Sequence, residues 1–242
     1  MSGPEPFALA WLRELEHGVC AGVRLPGGGA EVPPAVLARL EPAERAAALA
    51  LGPARRAGWV GGRLAMAAAL GHLGVPRQAV GSTARGAPAL PPGVVGSISH
   101  KERLAVALAA RAAGGWRLGV DVEALAPPRP AVARRVLTER ERAGLAGLGA
   151  AQAWEATVLR FALKEALYKA LDPFVERFVG FQEAEVELRP EGGAVVRLWL
   201  ARGEGPFEVE GRWYRLQGHL LATVRVRACG GGSGCYHGSD ER

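Results

Sequence analysis

The stretch LAVALAARAAGGWRLGVDVE, residues 104–123, decides the fold class. Two apolar runs, Leu104–Arg111 and Trp116–Glu123, lie on either side of Ala113-Gly114-Gly115. Apolar runs bounded by glycine are typical of strands, so the stretch predicts two strands around a turn. Further strands are expected at residues 19–25, 184–188, 194–200, 212–216 and 219–227.

Helical patterns lie on both sides of these strands. An Ala-rich helix is predicted over 41–51, and a second over 55–73, ending at Gly74 before Pro76. A further helix begins near Ala131, Thr138 and Glu141 have capping-box spacing, and a long helix over 151–171 is expected to stop at Asp172-Pro173. The two halves share a coarse order of helix followed by strands, which hints at duplication.

The composition is that of a soluble protein with a sizeable core. The chain has 242 residues, of which 49% are hydrophobic and 22% charged. No window approaches the roughly 18 apolar residues of a membrane helix. The first residues, MSGPEPFALAWLRELE, lack the basic start of a secretory signal. We therefore expect a cytoplasmic protein with no membrane partner.

The charge balance favours anionic partners. The formal net charge is +6, carried mostly by arginine. Nucleic acid, a phosphorylated small molecule and an acidic protein all remain compatible with it. Aromatic residues make up only 6% and are not interleaved with the basic ones, which disfavours nucleic acid.

A pair of acidic residues marks the second strand of the opening stretch. In Gly119-Val120-Asp121-Val122-Glu123, alternation places Asp121 and Glu123 on one face. The face could simply meet water. Because adjacent like charges repel, it could instead bind a hard cation such as Mg²⁺, which takes carboxylate oxygens.

The long helix carries a second polar group, within FALKEALYK over 161–169. Glu165 and Lys169 are four residues apart, the spacing of an exposed ion pair. However, apolar residues wrap much of this helix. Lys164, Glu165 and Lys169 are therefore candidates for a partly enclosed polar cluster.

Two more segments suit phosphate binding. Ser99-His100 follows a turn-rich stretch, and no G-x-S-x-G elbow surrounds it, which disfavours a serine hydrolase. A turn with Ser and His donors suits a phosphate better. Arg55 and Arg63 fall about two turns apart along one side of the second helix and could bind a phosphate there. The alternative is that both side chains are simply solvated.

Together these segments resemble one family. They are Arg55-Arg56-x-x-Trp59-x-x-Gly62-Arg63, Gly86-Ala87-Pro88 through Gly96-Ser97-Ile98-Ser99-His100, Gly119 to Glu123, and Leu163-Lys164-Glu165-Ala166-x-x-Lys169. Their order and spacing are similar to those of the 4'-phosphopantetheinyl transferases of the monomeric surfactin-synthetase class. The residues of these motifs are most similar to those of the enterobactin-synthetase component D branch.

The resemblance implies a pseudo-dimeric α+β fold of two similar halves, with mixed or antiparallel sheets and packed helices. The halves would be 1–112, holding the nucleotide end of coenzyme A, and 113–228, holding the metal and the catalytic helix. The Gly-rich residues 229–242 lack an apolar period and are expected to be a disordered tail.

The resemblance also implies the site. Asp121, Glu123 and Glu165 would ligate Mg²⁺ or Mn²⁺, and Glu165 and Lys169 would be catalytic. The residues expected to bind coenzyme A are Arg55, Arg63, Arg85, Pro88, Ser99, His100, Asp121, Lys164, Glu165 and Lys169. Family members often carry a basic residue just before the Pro of the turn. Here Ala87 occupies that place, and we expect Arg85 to replace it.

The implied activity is transfer of phosphopantetheine from coenzyme A to a serine of an acyl or peptidyl carrier protein, releasing 3',5'-ADP. Such carriers serve fatty-acid, polyketide and nonribosomal-peptide synthases, so secondary metabolism is an expected setting. We expect a monomer. The alternatives are a non-catalytic module that binds coenzyme A or a carrier protein, and, less favoured, a nucleic-acid-binding protein.

Overall fold

Two antiparallel sheets, each packed against one long helix, make up the fold. The computed structural model describes residues 5–27 and 31–229. The strands are β1 Leu9–Leu15, β2 Gly18–Arg24, β3 Gly81–Ser82, β4 Pro88–Ala89, β5 Val94–Lys101, β6 Leu104–Arg111, β7 Arg117–Ala124, β8 Ala184–Leu188, β9 Gly193–Leu198, β10 Phe207–Leu216 and β11 His219–Ala228. The helices are α1 Pro34–Leu37, α2 Pro42–Ala50, α3 Pro53–His72, α4 Pro130–Val136, α5 Glu139–Ala143 and α6 Ala150–Val175, with a short 3-10 helix at Phe181–Glu183.

The first sheet has the order β1-β2-β6-β5 and packs against α3. The second has the order β7-β11-β10-β9-β8 and packs against α6, while β3 and β4 form a small separate pair. Every strand pairing within 5–27 and 31–229 is antiparallel. The expected α+β architecture is thus confirmed, with antiparallel rather than mixed sheets.

The two strands of residues 104–123 form as predicted, but they belong to different sheets. β6 pairs with β2 and β5, whereas β7 pairs with β11. The glycine turn therefore carries the chain from one sheet to the other. Apolar residues of both strands, among them Val106, Leu108 and Val120, join in one buried cluster between the sheets. This cluster holds β7 beside β5, where the polar residues of both strands meet.

Gly119 lets α6 approach β7 at backbone distance. A Cβ atom at this position would overlap the carbonyl oxygen of Ala166. Any side chain here would therefore push α6 away from the sheet. Since Glu165 and Lys169 lie on α6, the glycine sets how close they come to Asp121.

The predicted helices are present, with one difference in length. α6 continues through Pro173 to Val175 and ends at Glu176, which has a φ of 49°. A proline without an N–H is tolerated here because it lies in the last turn, where one lost hydrogen bond interrupts little of the helix. The Thr138–Glu141 capping box is confirmed at the start of α5.

Strands β1 and β5 were not predicted. LAWLREL lacks clean alternation, and the Gly- and Pro-rich residues before Ile98 predicted a turn, so Ser99 and His100 lie on a strand rather than in the expected turn.

No helix among the described residues is long and apolar enough to cross a membrane. The predicted disordered tail lies outside the described residues, apart from Cys229.

A buried ion pair ties α6 to the elements around it. Lys164 is fully buried, and its ammonium donates to Glu141 Oε2 at 2.7 Å and to the carbonyls of Val136 and Phe181, both at 2.9 Å. The Glu141 carboxylate also accepts from the backbone N–H groups of Thr138 and Val186. Burial lowers the pKa of Lys164, and Glu141 opposes that shift. The pair joins α6 to α5, β8 and the 3-10 helix.

We predict that Lys164→Met lowers the free energy of unfolding by about 3–5 kcal/mol, because it leaves the Glu141 carboxylate buried without its counterion. Chemical denaturation measures this loss. The matched control is Arg189→Met, which breaks a pair with Glu187 whose side chains are 47% and 42% exposed. It should cost less than about 1 kcal/mol. Equal costs for the two variants would contradict a structural role for the buried pair.

Candidate active site

Asp121 is the point at which β5, β7 and α6 meet. Its Oδ1 accepts from Ser99 Oγ at 2.7 Å and from Lys169 Nζ at 2.8 Å. Lys169 also donates to the carbonyl of Val120 at 2.9 Å. The second oxygen, Oδ2, is buried and has no hydrogen-bond partner. Because a buried carboxylate oxygen without a partner is costly, this atom marks a place for a further ligand.

Glu123 and Glu165 lie close enough to Asp121 to feel its charge. Burial chiefly raises the pKa of Glu123, and Asp121 and Glu165 add to the rise. Burial also chiefly raises the pKa of Glu165, and Asp121 adds to it. Lys101 offsets part of the charge with a contact of 2.7 Å between its Nζ and Glu123 Oε2. The three carboxylates therefore repel one another, with two lysines as partial counterions.

This donor set fits Mg²⁺ in its chemistry. Hard oxygen ligands, one of them an orphaned carboxylate oxygen, are what Mg²⁺ takes from proteins, and a divalent cation would relieve the repulsion. The ligand atoms of the three residues do not all lie within 4.8 Å of one another. Binding would thus require the carboxylates to draw together, away from Lys101 and Lys169.

A basic cleft of 640 Å³ opens beside Asp121, between α3, β5 and the end of α6. Six of the predicted site residues line it: Arg55, Arg63, Arg85, Pro88, His100 and Lys169. Segments far apart in sequence thus converge on one cavity.

The three arginines of the cleft have different surroundings. Arg63 is buried and donates to the carbonyls of Val80 and Gly81 and to Ser82 Oγ, at 2.8–2.9 Å, so it fixes the cleft wall. Burial lowers its pKa. Arg85 forms a forked ion pair with Asp172, which sequence reasoning did not identify. Arg55 is exposed, and no carboxylate among the described residues pairs with it.

His100 sits against α3 because Gly58 has no side chain. A Cβ atom at Gly58 would lie 2.8–2.9 Å from three atoms of the imidazole ring. Burial lowers the pKa of His100, and the charge of Lys169 lowers it further. The lowered pKa favours the neutral form of the His100 imidazole. Gly58, Gly61 and Gly62 of this helix thus serve close packing.

An apolar groove of 420 Å³ lies on the other side of the carboxylates. Glu123, Glu165 and Lys101 border it, Arg129 and Arg135 add two cations, and its walls include Trp154, Val158, Phe161, Tyr168, Phe178 and Phe181. The groove and Lys101 were not identified from the sequence. The apolar residues around the long helix were the sequence signal for the groove, but such a pattern equally predicts a helix packed in the core.

Lys164 is the predicted site residue that the structure does not bring to this site. Its side chain is fully enclosed in the ion pair with Glu141 and lines neither cavity. Adjacent positions on a helix point about 100° apart, so Glu165 faces the groove while Lys164 enters the core.

Comparisons with known proteins identify the family of this chain. Residues 43–110 match the family model described as 4'-phosphopantetheinyl transferase N-terminal domain, and residues 117–224 match that of the 4'-phosphopantetheinyl transferase superfamily. The 4'-phosphopantetheinyl transferase Svp of Streptomyces mobaraensis is 36% identical over 177 residues, covering 70% of this chain and 71% of Svp. The 4'-phosphopantetheinyl transferase Npt of Nocardia iowensis is 31% identical over 188 residues, covering 70% of this chain and 82% of Npt.

Among solved structures, a holo-(acyl-carrier-protein) synthase from Bacillus anthracis in complex with coenzyme A aligns with a TM-score of 0.39 and 24% identity. The alignment covers 46% of this chain and 96% of that one. The family models and the two curated relatives decide the assignment: this chain belongs to the 4'-phosphopantetheinyl transferase family.

Proposed function

We propose that this protein transfers the 4'-phosphopantetheine group of coenzyme A to a serine hydroxyl of an apo carrier protein and releases 3',5'-ADP. The observation that carries the proposal is the position of the orphaned Asp121 Oδ2, between a basic cleft and an apolar groove. Coenzyme A has the same division, with phosphates at one end and a largely uncharged arm at the other.

The basic cleft suits the nucleotide end of coenzyme A. Arg55 has no carboxylate partner, so it is available to a phosphate, and His100 and Lys169 line the same cavity. Arg85 and Asp172 both line the cleft. Their forked pair uses Nε and one terminal nitrogen of Arg85, which leaves the N–H groups of the other terminal nitrogen for a phosphate. The pantetheine arm then extends past the carboxylates into the groove walled by aromatic residues.

Asp121, Glu123 and Glu165 would hold Mg²⁺, with Mn²⁺ as a substitute. The bound cation supplies neutralisation of the charge on the diphosphate oxygens. Lys169 is the chain's own contribution to the same task, because its ammonium points at Asp121 from the floor of the cleft. When a phosphate binds, the Lys169 ammonium can contact it and stabilise the charge that develops on the phosphoryl oxygens.

In the reaction, the serine oxygen forms a bond to the β-phosphorus of coenzyme A. The bond from that phosphorus to the bridging oxygen breaks, and 3',5'-ADP leaves with the electron pair. The serine proton passes to the Glu165 carboxylate, directly or through a water. Glu165 is the candidate acceptor because it borders the apolar groove and lies close to Asp121.

We further propose the finer assignments that the resemblance implies. The halves 1–112 and 113–228 divide where the chain crosses between the sheets. The protein is a cytoplasmic monomer of the surfactin-synthetase class, nearest to the enterobactin-synthetase component D branch. Its carriers belong to fatty-acid, polyketide or nonribosomal-peptide synthases, with no role for nucleic acid. The names of Svp and Npt, both 4'-phosphopantetheinyl transferases, support transfer of the phosphopantetheine group.

The direct test incubates the purified protein with apo carrier proteins of several classes, coenzyme A and Mg²⁺, and reads the intact carrier mass. We expect a gain of one phosphopantetheinyl group, which a chelator abolishes. Asp121→Asn should reduce the rate at least 100-fold while leaving the fold intact, because it removes charge from a cluster of repelling carboxylates. Binding of coenzyme A without any transfer would favour the non-catalytic module instead.

We predict that Lys169→Met lowers kcat at least tenfold and changes the dissociation constant of coenzyme A by less than threefold. The reason is that charge on the phosphoryl oxygens grows only in the transition state. Steady-state kinetics and calorimetric titration of coenzyme A measure the two quantities. Equal losses in both would reduce Lys169 to a binding residue.

A pair of glycine substitutions on α3 tests the position of His100. Gly58→Ala should weaken coenzyme A binding at least fivefold, because its methyl group would displace the imidazole from the cleft. Gly71→Ala, on the same helix with nothing within 4 Å of its Cβ position, should leave binding unchanged and raise stability by up to about 1 kcal/mol. Unchanged binding in both variants would remove His100 from the site.

A further inference from the structure

The turn between β1 and β2 inserts an imidazole against the second sheet. The His17 side chain is fully buried, and its Nδ1 lies 2.9 Å from Thr223 Oγ1 on β11. Its Nε2 is buried and has no hydrogen-bond partner. The Glu210 Oε2 atom lies 3.9 Å from Nε2, beyond hydrogen-bond distance. Like Asp121 Oδ2, this nitrogen is a buried polar atom without a hydrogen-bond partner.

Two carboxylates lie close to the His17 ring. Ligand atoms of Glu16, His17 and Glu210 all lie within 4.8 Å of one another. No other group of three His, Cys, Asp or Glu residues in the described part of the chain has this spacing. Glu16 and His17 come from the hairpin of the first sheet, whereas Glu210 lies on β10 of the second.

We propose that Glu16, His17 and Glu210 form a second metal site, separate from the carboxylates of the transfer site, for a divalent transition cation such as Zn²⁺. Zinc binds imidazole nitrogen and carboxylate oxygen at about 2.0–2.2 Å, so two tetrahedral ligand atoms lie roughly 3.3 Å apart. The 3.9 Å between Nε2 and Glu210 Oε2 is therefore wide for a hydrogen bond and close to the separation across a zinc ion.

The hydrogen bond between His17 and Thr223 orients the imidazole ring. We assign the proton to Nδ1, which donates to Thr223 Oγ1 and leaves the Nε2 lone pair free. A metal-bound histidine commonly donates its other ring N–H to an oxygen in this way.

Two arginines hold the carboxylates and limit the choice of cation. Arg212 donates to both oxygens of Glu16 at 2.5 and 2.7 Å, and Arg225 donates to both oxygens of Glu210 at 2.7 and 2.8 Å. Each oxygen keeps a further lone pair, so these contacts orient the carboxylates without excluding a cation. The two positive charges disfavour Mg²⁺ and Ca²⁺, which depend on charge, relative to a cation that binds nitrogen tightly.

A zinc ion here would link the two sheets. The hairpin turn is already joined to β10 by Arg212 and to β11 by Thr223. Metal binding would strengthen the same junction, on residues that line neither the cleft nor the groove. The expected role is therefore stabilisation of the relative position of the sheets.

The test is equilibrium dialysis of the full chain against buffered Zn²⁺ with excess Mg²⁺, followed by elemental analysis. Cys235→Ser and His237→Asn are included throughout, because cysteine and histidine bind zinc. We expect one zinc per chain. Zinc at about 100 times its dissociation constant should raise Tm by roughly 5–10 °C.

Three substitutions locate the bound ion. His17→Gln and Glu210→Gln should each weaken zinc binding at least tenfold. His72→Gln, which removes an imidazole that contacts Glu14 at the surface, is the matched control and should bind as before. Asp121→Asn should also retain the zinc, which separates this site from the transfer site.

Absence of bound zinc, or equal binding by the parent chain and Glu210→Gln, would overturn the proposal. Glu210 is 30% exposed, so its variant decides the matter even where His17→Gln does not fold. Loss of zinc in Asp121→Asn alone would assign the ion to the transfer site and likewise overturn it.

Discussion

The contact of Asp121 with Ser99 and Lys169 sets the geometry of the candidate active site. It joins the edge strand β5 of the first sheet, the edge strand β7 of the second and the helix α6. The apolar cluster between the sheets sets these strands side by side, and Gly119 lets α6 come close enough for Lys169 to reach the carboxylate. The basic cleft and the apolar groove are the spaces left on either side of this junction.

The junction joins the two sheets and α6, but its buried carboxylates also cost stability. It holds one carboxylate oxygen without a partner and two further carboxylates whose pKa values burial and mutual repulsion raise. A fold selected for stability alone would place apolar residues here, as it does along the neighbouring Val120 and Val122. The charges are explained by a ligand that compensates them. The buried Lys164–Glu141 pair contrasts with this, because every atom of its ammonium and carboxylate has partners within the protein.

Much of this arrangement could be predicted from the sequence, because its signals are local. Alternation in GVDVE identified a strand with two carboxylates on one face, and capping and breaking residues located the helices. Which sheet a strand joins is not a local property, so the stretch 104–123 predicted both strands correctly but not that they belong to different sheets. The four motifs together identified the family, because their order and spacing are more specific for it than any single motif.

The roles of individual charged residues were harder to predict. Lys164 and Lys169 lie on the same helix within a few residues, yet one enters the core and the other the cleft. Lys101 and Asp172 were missed because their partners are distant in sequence. His17 carried no motif at all, and only the packing of the β1–β2 turn against β11 reveals its unpaired nitrogen.

If the Asp121 junction holds a cation between the nucleotide and the pantetheine arm of coenzyme A, a crystal structure with coenzyme A and Mn²⁺, analysed by anomalous scattering, will show it. We expect a manganese peak bound by Asp121, Glu123 and Glu165. The nucleotide phosphates should lie in the basic cleft and the pantetheine arm in the apolar groove. Coenzyme A bound with no metal at Asp121, or with its nucleotide end in the groove, would contradict this expectation.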